Sequence, residues 1–550
     1  MKVLVVGGVA GGASAAARIR RLDEDSEIIL FERGEHVSFA NCGLPYYVGE
    51  VIKEKEKLLV QTPESLRQRY RIDVRIRQEV VSVDRSARAV VVRDLTTGRQ
   101  YRETYDKLIL APGAAPIRPN LPGFDAPNVF ILRNIPDTYR VKDYVDQIGA
   151  GPAVVVGGGF IGLELAENLQ QRGMDVTIVE LSSQLAGALD YDMAALVHGH
   201  LKEKGINFRL EDGVKAIRPD GEGSIVELNS GKEIAAAMVV LGIGVRPETK
   251  LAVEAGLELG PRGGIKVDKT LRTNDPDIYA VGDAIEVSDY INGQTTLIPL
   301  AGPANKQARI AADNICGRPA EYEGTQGTAV MKVFELTVAS TGNNEKLLRR
   351  LNIPYRKSYT HSASHADYYP GSSLISLKLL FAPDTGKILG AQAVGRSGVE
   401  KRIDVIATAI RAGMTVHDLE ELELAYAPPY SSAKDPVNMA GYVAMNILKG
   451  DNPVIHWDEI ASLDPAKTAL LDVRTPEEVE EGTIPGSINI SLDQLRERLT
   501  ELPRDKEIVV FCRVGLRAYI AARLLTQSGF TAVRNLSGGW LTFSAAMTDY

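Results

Sequence analysis

Two glycine loops, each set between a short apolar run and a helix-forming stretch, restrict this chain more than any other feature. The first follows Val3-Leu4-Val5-Val6 and reads Gly7-Gly8-Val9-Ala10-Gly11-Gly12; an Ala-rich helix is expected from about Ala13, and a second strand, Ile28-Ile29-Leu30-Phe31, ends at Glu32. The second follows Ala153-Val154-Val155-Val156 and reads Gly157-Gly158-Gly159-Phe160-Ile161-Gly162, with a helix through Leu169 and a strand, Val176-Thr177-Ile178-Val179, ending at Glu180. A strand, a glycine turn and a helix start in this order bring unpaired backbone N–H groups to a pyrophosphate, and a carboxylate about 20 residues on meets ribose hydroxyls. Each is the first half of a Rossmann unit. The first loop has Val9 where the G-x-G-x-x-G pattern has its second glycine, whereas the second loop fits throughout. Two such units in tandem predict two dinucleotide sites. Glu180 suits the 2′-hydroxyl of NAD and would repel the 2′-phosphate of NADP, and no arginine follows it at once. NADH is therefore the expected donor, ahead of NADPH.

A chain of 550 residues, 44% hydrophobic and 24% charged, is too long for one core. A net charge of −8 argues against nucleic-acid or anionic-membrane partners, which need a basic face to displace counterions. The apolar run at Val3–Val6 is too short for a signal segment, and no stretch approaches the roughly 20 apolar residues of a bilayer span. A cytoplasmic protein without a membrane partner is expected. Cys42, Cys316 and Cys512 are far apart, which excludes a disulfide framework and any metal-ligand spacing. Cys316, near a helix end in Asn314-Ile315-Cys316-Gly317, reads as structural.

Leu108-Ile109-Leu110-Ala111-Pro112-Gly113 and Ile278-Tyr279-Ala280-Val281-Gly282-Asp283-Ala284, taken with the two loops, resemble the pyridine nucleotide-disulfide oxidoreductases. The resemblance covers roughly residues 1 to 445. It implies an α/β fold with two Rossmann-like domains: an FAD domain over 1–112 and 246–326, an NAD domain inserted at 113–245, and an α+β dimerisation domain at 327–445, hence a homodimer. It also implies that Gly7, Gly8, Gly11, Gly12, Glu32, Arg33, Gly113 and Asp283 hold FAD, with Asp283 on the ribityl chain. Gly157, Gly159, Gly162, Glu180 and Gly244 are the matching NAD positions.

Electrons passed from NADH to a flavin need an acceptor, and the stretch Ser38-Phe39-Ala40-Asn41-Cys42-Gly43-Leu44-Pro45-Tyr46-Tyr47 suggests one. Family members that reduce an internal dithiol carry Cys-x4-Cys, but position 47 is Tyr47, so the partner of Cys42 comes from outside as a disulfide, a persulfide or an oxygen species. Beside a flavin and near a helix start, the Cys42 thiolate is expected to be favoured. The pattern is similar to the single-cysteine branch of coenzyme A-disulfide reductases, NADH oxidases and NADH peroxidases. Arg18 and Arg21, three apart on one helix face, could meet phosphates or simply solvate that face. The resemblance implies that Arg18, Arg21, Ser38 and Asn41 contact coenzyme A, and that Tyr368 and Tyr426 reach the active site across the dimer interface as proton donors; interface packing is the alternative for both tyrosines. The oxygen-reducing members carry a histidine near the first helix, whereas His36, the nearest here, lies on another segment.

Beyond a linker at 446–456 the composition shifts. Ala469-Leu470-Leu471-Asp472-Val473-Arg474-Thr475-Pro476-Glu477-Glu478, Gly482-Thr483-Ile484-Pro485-Gly486, Ile508-Val509-Val510-Phe511-Cys512 and Gly538-Gly539-Trp540, in that order, resemble a rhodanese domain at 457–550. The loop Cys512-Arg513-Val514-Gly515-Leu516-Arg517 is expected to aim successive backbone N–H groups at the sulfur, with Arg513 and Arg517 adding positive potential for a thiolate or persulfide. Its Cys-x4-Arg spacing is one residue shorter than that of the related phosphatases, which favours sulfur transfer. The expected activity is NADH-dependent reduction of coenzyme A persulfide or polysulfide. The alternatives are coenzyme A-disulfide reduction, an NADH oxidase or peroxidase, and a persulfide carrier or redox sensor.

Overall fold

Runs of Val, Ile and Leu with no polar alternation bury both faces of a strand, and such strands assemble in parallel. The computed structural model describes residues 1–548, so the last two positions of the expected 457–550 domain lie outside the described residues. The chain divides into two units, 1–183 with 206–327 and 184–205 with 328–550.

In the first unit, Lys2–Val6 pairs in parallel with Glu27–Glu32 on one side and Lys107–Leu110 on the other, and Ile278–Ala280 and Asp73–Ile76 complete a five-stranded sheet. The helix Ala10–Leu22 packs on this sheet and against Ala301–Ile315, with Ala15, Ala16 and Ile19 buried. It begins three residues before the expected Ala13, because Ala10, Gly11 and Gly12 already take helical geometry. A second parallel sheet runs Asn207–Arg209, Asp175–Val179, Pro152–Val156, Met238–Leu241, Val129–Ile131, with Phe160–Gln171 following its glycine loop.

The second unit holds an antiparallel five-stranded sheet, in the order Ala329–Val333, Leu336–Gly342, Ile388–Gly395, Leu374–Phe381, Arg356–Ala363, together with the helices Val399–Arg411 and Pro436–Leu448. It also holds a parallel sheet in the order Val454–Ile455, Val533–Leu536, Glu507–Phe511, Thr468–Asp472, Ile488–Asn489. The chain adopts the expected mixed α/β architecture with parallel sheets.

One division differs from the sequence reading, which puts 184–205 inside the NAD domain. This excursion belongs to the second unit, where Lys378, fully buried, needs carboxylates around it. Its ammonium lies 3.1 Å from Asp190, 2.8 Å from Asp192 and 2.7 Å from Glu345. Asp192 also accepts from the hydroxyl of Tyr359 at 2.6 Å and from the indole N–H of Trp457 at 3.3 Å. The antiparallel sheet and the start of the rhodanese-like segment thus share one buried ionic cluster.

Candidate active site

The two glycine loops have nearly superposable local designs. Gly7 and Gly157 take φ of +97° and +101°, and a Cβ there would lie 2.1 Å from the Ala111 carbonyl oxygen and 2.5 Å from that of Gly242. At Gly12 and Gly162 a Cβ would strike the carbonyl oxygens of Gly7 and Gly157 at 1.8 and 1.9 Å, so only glycine lets each helix close on its strand. Gly8 packs against Val37 and Leu30, and Gly11 against Val281. The loops differ at their helix caps: Val9 (φ −99°) stands where Gly159 (φ −80°) stands, and neither conformation requires glycine. That is why the first loop tolerates a valine.

The two glutamates are held alike. Glu32 accepts from the N–H of Gly8 at 2.8 Å and of Gly34 at 2.7 Å; Glu180 accepts from the N–H of Gly158 at 2.7 Å and of Ser182 at 2.8 Å. Each carboxylate is fixed beside its glycine loop, ready for hydroxyl donors. Neither helix carries a side-chain N-cap, and a Cβ on Gly159 would meet nothing within 4 Å, so the loop opens onto free space. Uncapped helix N-termini beside open loops and anchored carboxylates fit a pyrophosphate and its ribose.

Asp283 lies in the turn Gly282–Ala284, and burial raises its carboxyl against the opposing pull of Arg133. Arg133 also approaches Gly113, whose φ is +78°. Arg33 is exposed and pairs with Glu248 at 2.5 Å; Glu248 donates its N–H to the Gly113 carbonyl, and Gly244 accepts from Ile117.

Cys42 is exposed, in the turn Asn41–Gly43 that leads into the helix Leu44–Val48. The protein groups around it work against a thiolate: desolvation raises the thiol, and the carboxylates of Glu164 and Asp283 add to it. A helix of five residues does not offset them. Ser38 is held at φ +46°, a strained conformation for a serine, and its carbonyl accepts from Val60 and Gln61. The side-chain carbonyl of Asn41 is buried without a partner, a polar atom left for an incoming donor.

The arginine pair is also corrected. Arg18 is not part of an open basic face: its guanidinium grips Asp313 through Nε and Nη2, both at 2.7 Å, whereas Arg21 is exposed. Cys316 caps the helix Ala301–Ile315 and packs against the core, where burial raises its thiol.

In the second unit the hydroxyls of Tyr368 and Tyr426 meet at 2.8 Å, 72% and 47% exposed. Sequence reasoning names both tyrosines, and the structure joins them into one phenol pair.

Cys512 is fully buried at the end of the strand Glu507–Phe511. The motifs around it converge on its loop. Arg474 is clamped by Asp472 and donates to the carbonyls of Glu478 and Gly482, with its guanidinium 5.1 Å from the centre of the Trp540 ring. Trp540 donates its N–H to the Cys512 carbonyl at 2.8 Å. The cradle itself is narrower than expected: one backbone N–H, that of Gly515, reaches the sulfur at 3.2 Å. The two arginines also differ. Arg517 lies beside the Cys512 sulfur and is fastened to Glu478 through two contacts of 2.7 Å; Arg513 is exposed, near the half-buried His361. His361 bridges Ser376 and Thr542 at 2.8 and 2.9 Å, and burial lowers it to about 4.

Sequence reasoning missed Glu164, Tyr46 and Glu478. Glu164 stands two residues beyond the last glycine of the second loop, Tyr46 four residues beyond Cys42, and Glu478 in the quoted Asp472-to-Glu478 stretch; the last two spacings were the available signals.

These features define a two-nucleotide oxidoreductase with an appended sulfur-handling domain. Residues 1–308 match the pyridine nucleotide-disulphide oxidoreductase model, 328–436 its dimerisation domain and 457–546 the rhodanese-like domain. The chain belongs to the pyridine nucleotide-disulphide oxidoreductase family. It is 37% identical over 447 residues to the coenzyme A disulfide reductase of Staphylococcus haemolyticus, covering 81% of this chain and all of that one. Among solved structures, reduced Bacillus anthracis CoADR-RHD is 52% identical over 100% of this chain and 98% of its own, with a TM-score of 0.97. An NAD-dependent persulfide reductase from A. fulgidus is 40% identical over 99% of this chain and 100% of its own, with a TM-score of 0.93. The family works with FAD and a nicotinamide dinucleotide.

Proposed function

We propose that the chain is an NADH-dependent reductase of coenzyme A persulfide or polysulfide, acting through Cys42, with coenzyme A disulfide as a second substrate. The observation that carries this reading is the solitary, exposed Cys42 on a chain that also bears Cys512 in a rhodanese loop. Similarity along the full chain to the A. fulgidus persulfide reductase supports it. The overall reaction is R–S–SH + NADH + H⁺ → R–SH + H₂S + NAD⁺.

Gly7, Gly8, Gly11, Gly12, Glu32 and Asp283 would hold FAD, with Arg33 and Gly113 at its edge, and Gly157, Gly159, Gly162, Glu180 and Gly244 would hold NADH. When bound, the flavin supplies the two-electron link between the nicotinamide and sulfur. The anchored carboxylate of Glu180 supports NADH over NADPH. Cys42 attacks the sulfane or disulfide sulfur, and the orphan carbonyl of Asn41 and the strained Ser38 line the approach to it. Arg21 is free to meet a phosphate, whereas Arg18 would have to loosen from Asp313 to do so. In a homodimer the Tyr368–Tyr426 pair of each chain would serve its partner's Cys42, donating a hydrogen bond to the sulfur anion formed there. Arg517 and the Gly515 N–H would stabilise a Cys512 persulfide, with Arg513 at the entrance.

The test is sulfide release with NADH and coenzyme A persulfide. It should be lost in Cys42→Ser and kept in part by Cys512→Ser. Full persulfide-dependent NADH consumption by Cys42→Ser would end this reading.

A further inference from the structure

Cys42 has a carboxyl neighbour that nothing above employs. Tyr46 stands four residues beyond Cys42, in the helix that follows the Cys42 turn, and the Tyr46 hydroxyl donates to Glu164 at 3.2 Å. The helix Leu44–Val48 packs directly on the helix Phe160–Gln171 that carries Glu164. Glu164 makes no ion pair among the described residues; its hydrogen-bond partner is a phenol. The titratable groups around it are Cys42, Tyr46, Glu167 one turn along its own helix, and Asp283 near the sulfur, while Tyr47 turns to Tyr139 at 5.9 Å. The strands beneath the helix, Pro152–Val156 and Asp175–Val179, bring one more carboxylate, Asp175.

We propose that Glu164, held in place by Tyr46, stores the proton of Cys42 during sulfur exchange. This inference rests on the reading that Cys42 is the attacking sulfur. The thiol passes its proton to the Glu164 carboxylate, leaving a thiolate beside a neutral acid. The thiolate attacks R–S–S–R′, the S–S bond breaks, Cys42–S–S–R forms, and R′S⁻ takes the proton from Glu164 to leave as R′SH. Hydride from NADH then supplies the two electrons and the proton that return Cys42 to thiolate and release RSH, and solvent reprotonates Glu164. Burial, with Glu167 adding to it, raises the Glu164 carboxyl to about 7, which lets it hold or yield a proton near neutrality. An ionised Glu164 disfavours the thiolate and a protonated one does not, so the titration of the sulfur follows the state of the carboxylate. Tyr46 is a positioning residue: its donated hydrogen bond favours the ionised carboxylate.

The experiment is alkylation of Cys42 by iodoacetamide in the reduced holoenzyme, between about pH 5 and 10, read by mass of the Cys42 peptide and without any sulfur substrate. The wild-type profile should stretch over more than one titration. Glu164→Gln should collapse it to a single, lower titration and speed alkylation near neutrality by about 3- to 10-fold, while turnover with a sulfur substrate falls. Tyr46→Phe should move the neutral step to higher pH. A Glu164→Gln profile coincident with wild type, or alkylation and turnover falling together, would overturn the proposal. Should Glu164→Gln fail to retain flavin, Tyr46→Phe decides, and an unshifted profile counts against it. Because alkylation needs no sulfur substrate, this result is separable from the loss or survival of Cys42-dependent NADH consumption.

Discussion

The two cysteines meet opposite electrostatic surroundings. Cys42 is exposed beside two carboxylates that disfavour its thiolate, whereas Cys512 is buried and faces a backbone N–H and an arginine. The Cys512 sulfur accepts from the Gly515 N–H within its own loop. An exposed sulfur among carboxylates waits for bound groups and for a proton to move. The difference fits the proposed division of work, in which one sulfur carries a persulfide and the other forms and releases bonds.

The sharpest way to break this contrast is to exchange serine for each sulfur. Cys42→Ser should lower persulfide-dependent NADH oxidation on the order of 10³-fold or more with flavin retained, whereas Cys512→Ser should abolish sulfane transfer to cyanide yet change NADH oxidation with preformed coenzyme A persulfide by less than about 3-fold. Equal losses in both assays for both variants would erase the contrast.

The framework around Cys512 depends on a buried ionic cluster. Lys378→Met would remove the ammonium that Asp190, Asp192 and Glu345 share, leaving Glu345 to Lys357 and Arg349, and should cost about 3–5 kcal/mol in the second unit, measured by denaturant unfolding followed through Trp457 fluorescence. Asp192 and Glu345 are both held below the usual carboxylate range, Asp192 chiefly by Lys378 and Glu345 by Lys378 and Lys357, against burial. Their contribution is present above the ordinary carboxylate pKa and is lost as pH falls.

The Cys42 region carries the opposite sign. Glu164 binds its proton more tightly folded than unfolded, so its contribution is full below about pH 4.5 and is lost as pH rises through about 7, at most about 3 kcal/mol. Glu164→Gln should flatten that decline in thermal unfolding of the holoenzyme between acid and neutral pH. A smaller effect is expected at the other sulfur: Arg517→Ala should slow sulfane transfer by about 10-fold without altering NADH oxidation with preformed persulfide.

Much of this was legible in the sequence, for identifiable reasons. The glycine loops dictate their own geometry, since a Cβ at Gly12 or Gly162 collides with backbone, and such local constraints appear in residue order. The rhodanese motifs meet at Arg474 because each is short and its contacts are made by the quoted residues themselves. What escaped depends on partners remote in the chain. Arg18 reads as a basic face until Asp313, 295 positions away, takes its charge. The Cys42 thiol reads as activated until Glu164 and Asp283 arrive from other segments. The excursion 184–205 carries no signal that its carboxylates serve Lys378.

The indole of Trp457 donates into the same carboxylate that neutralises Lys378. Ending the chain before position 457 would therefore remove more than the rhodanese-like domain: it would take a hydrogen-bond donor from Asp192, in the cluster that holds Lys378. A shortened protein is a poor control for the reductase alone, and an intact chain silenced at Cys512 is the better one.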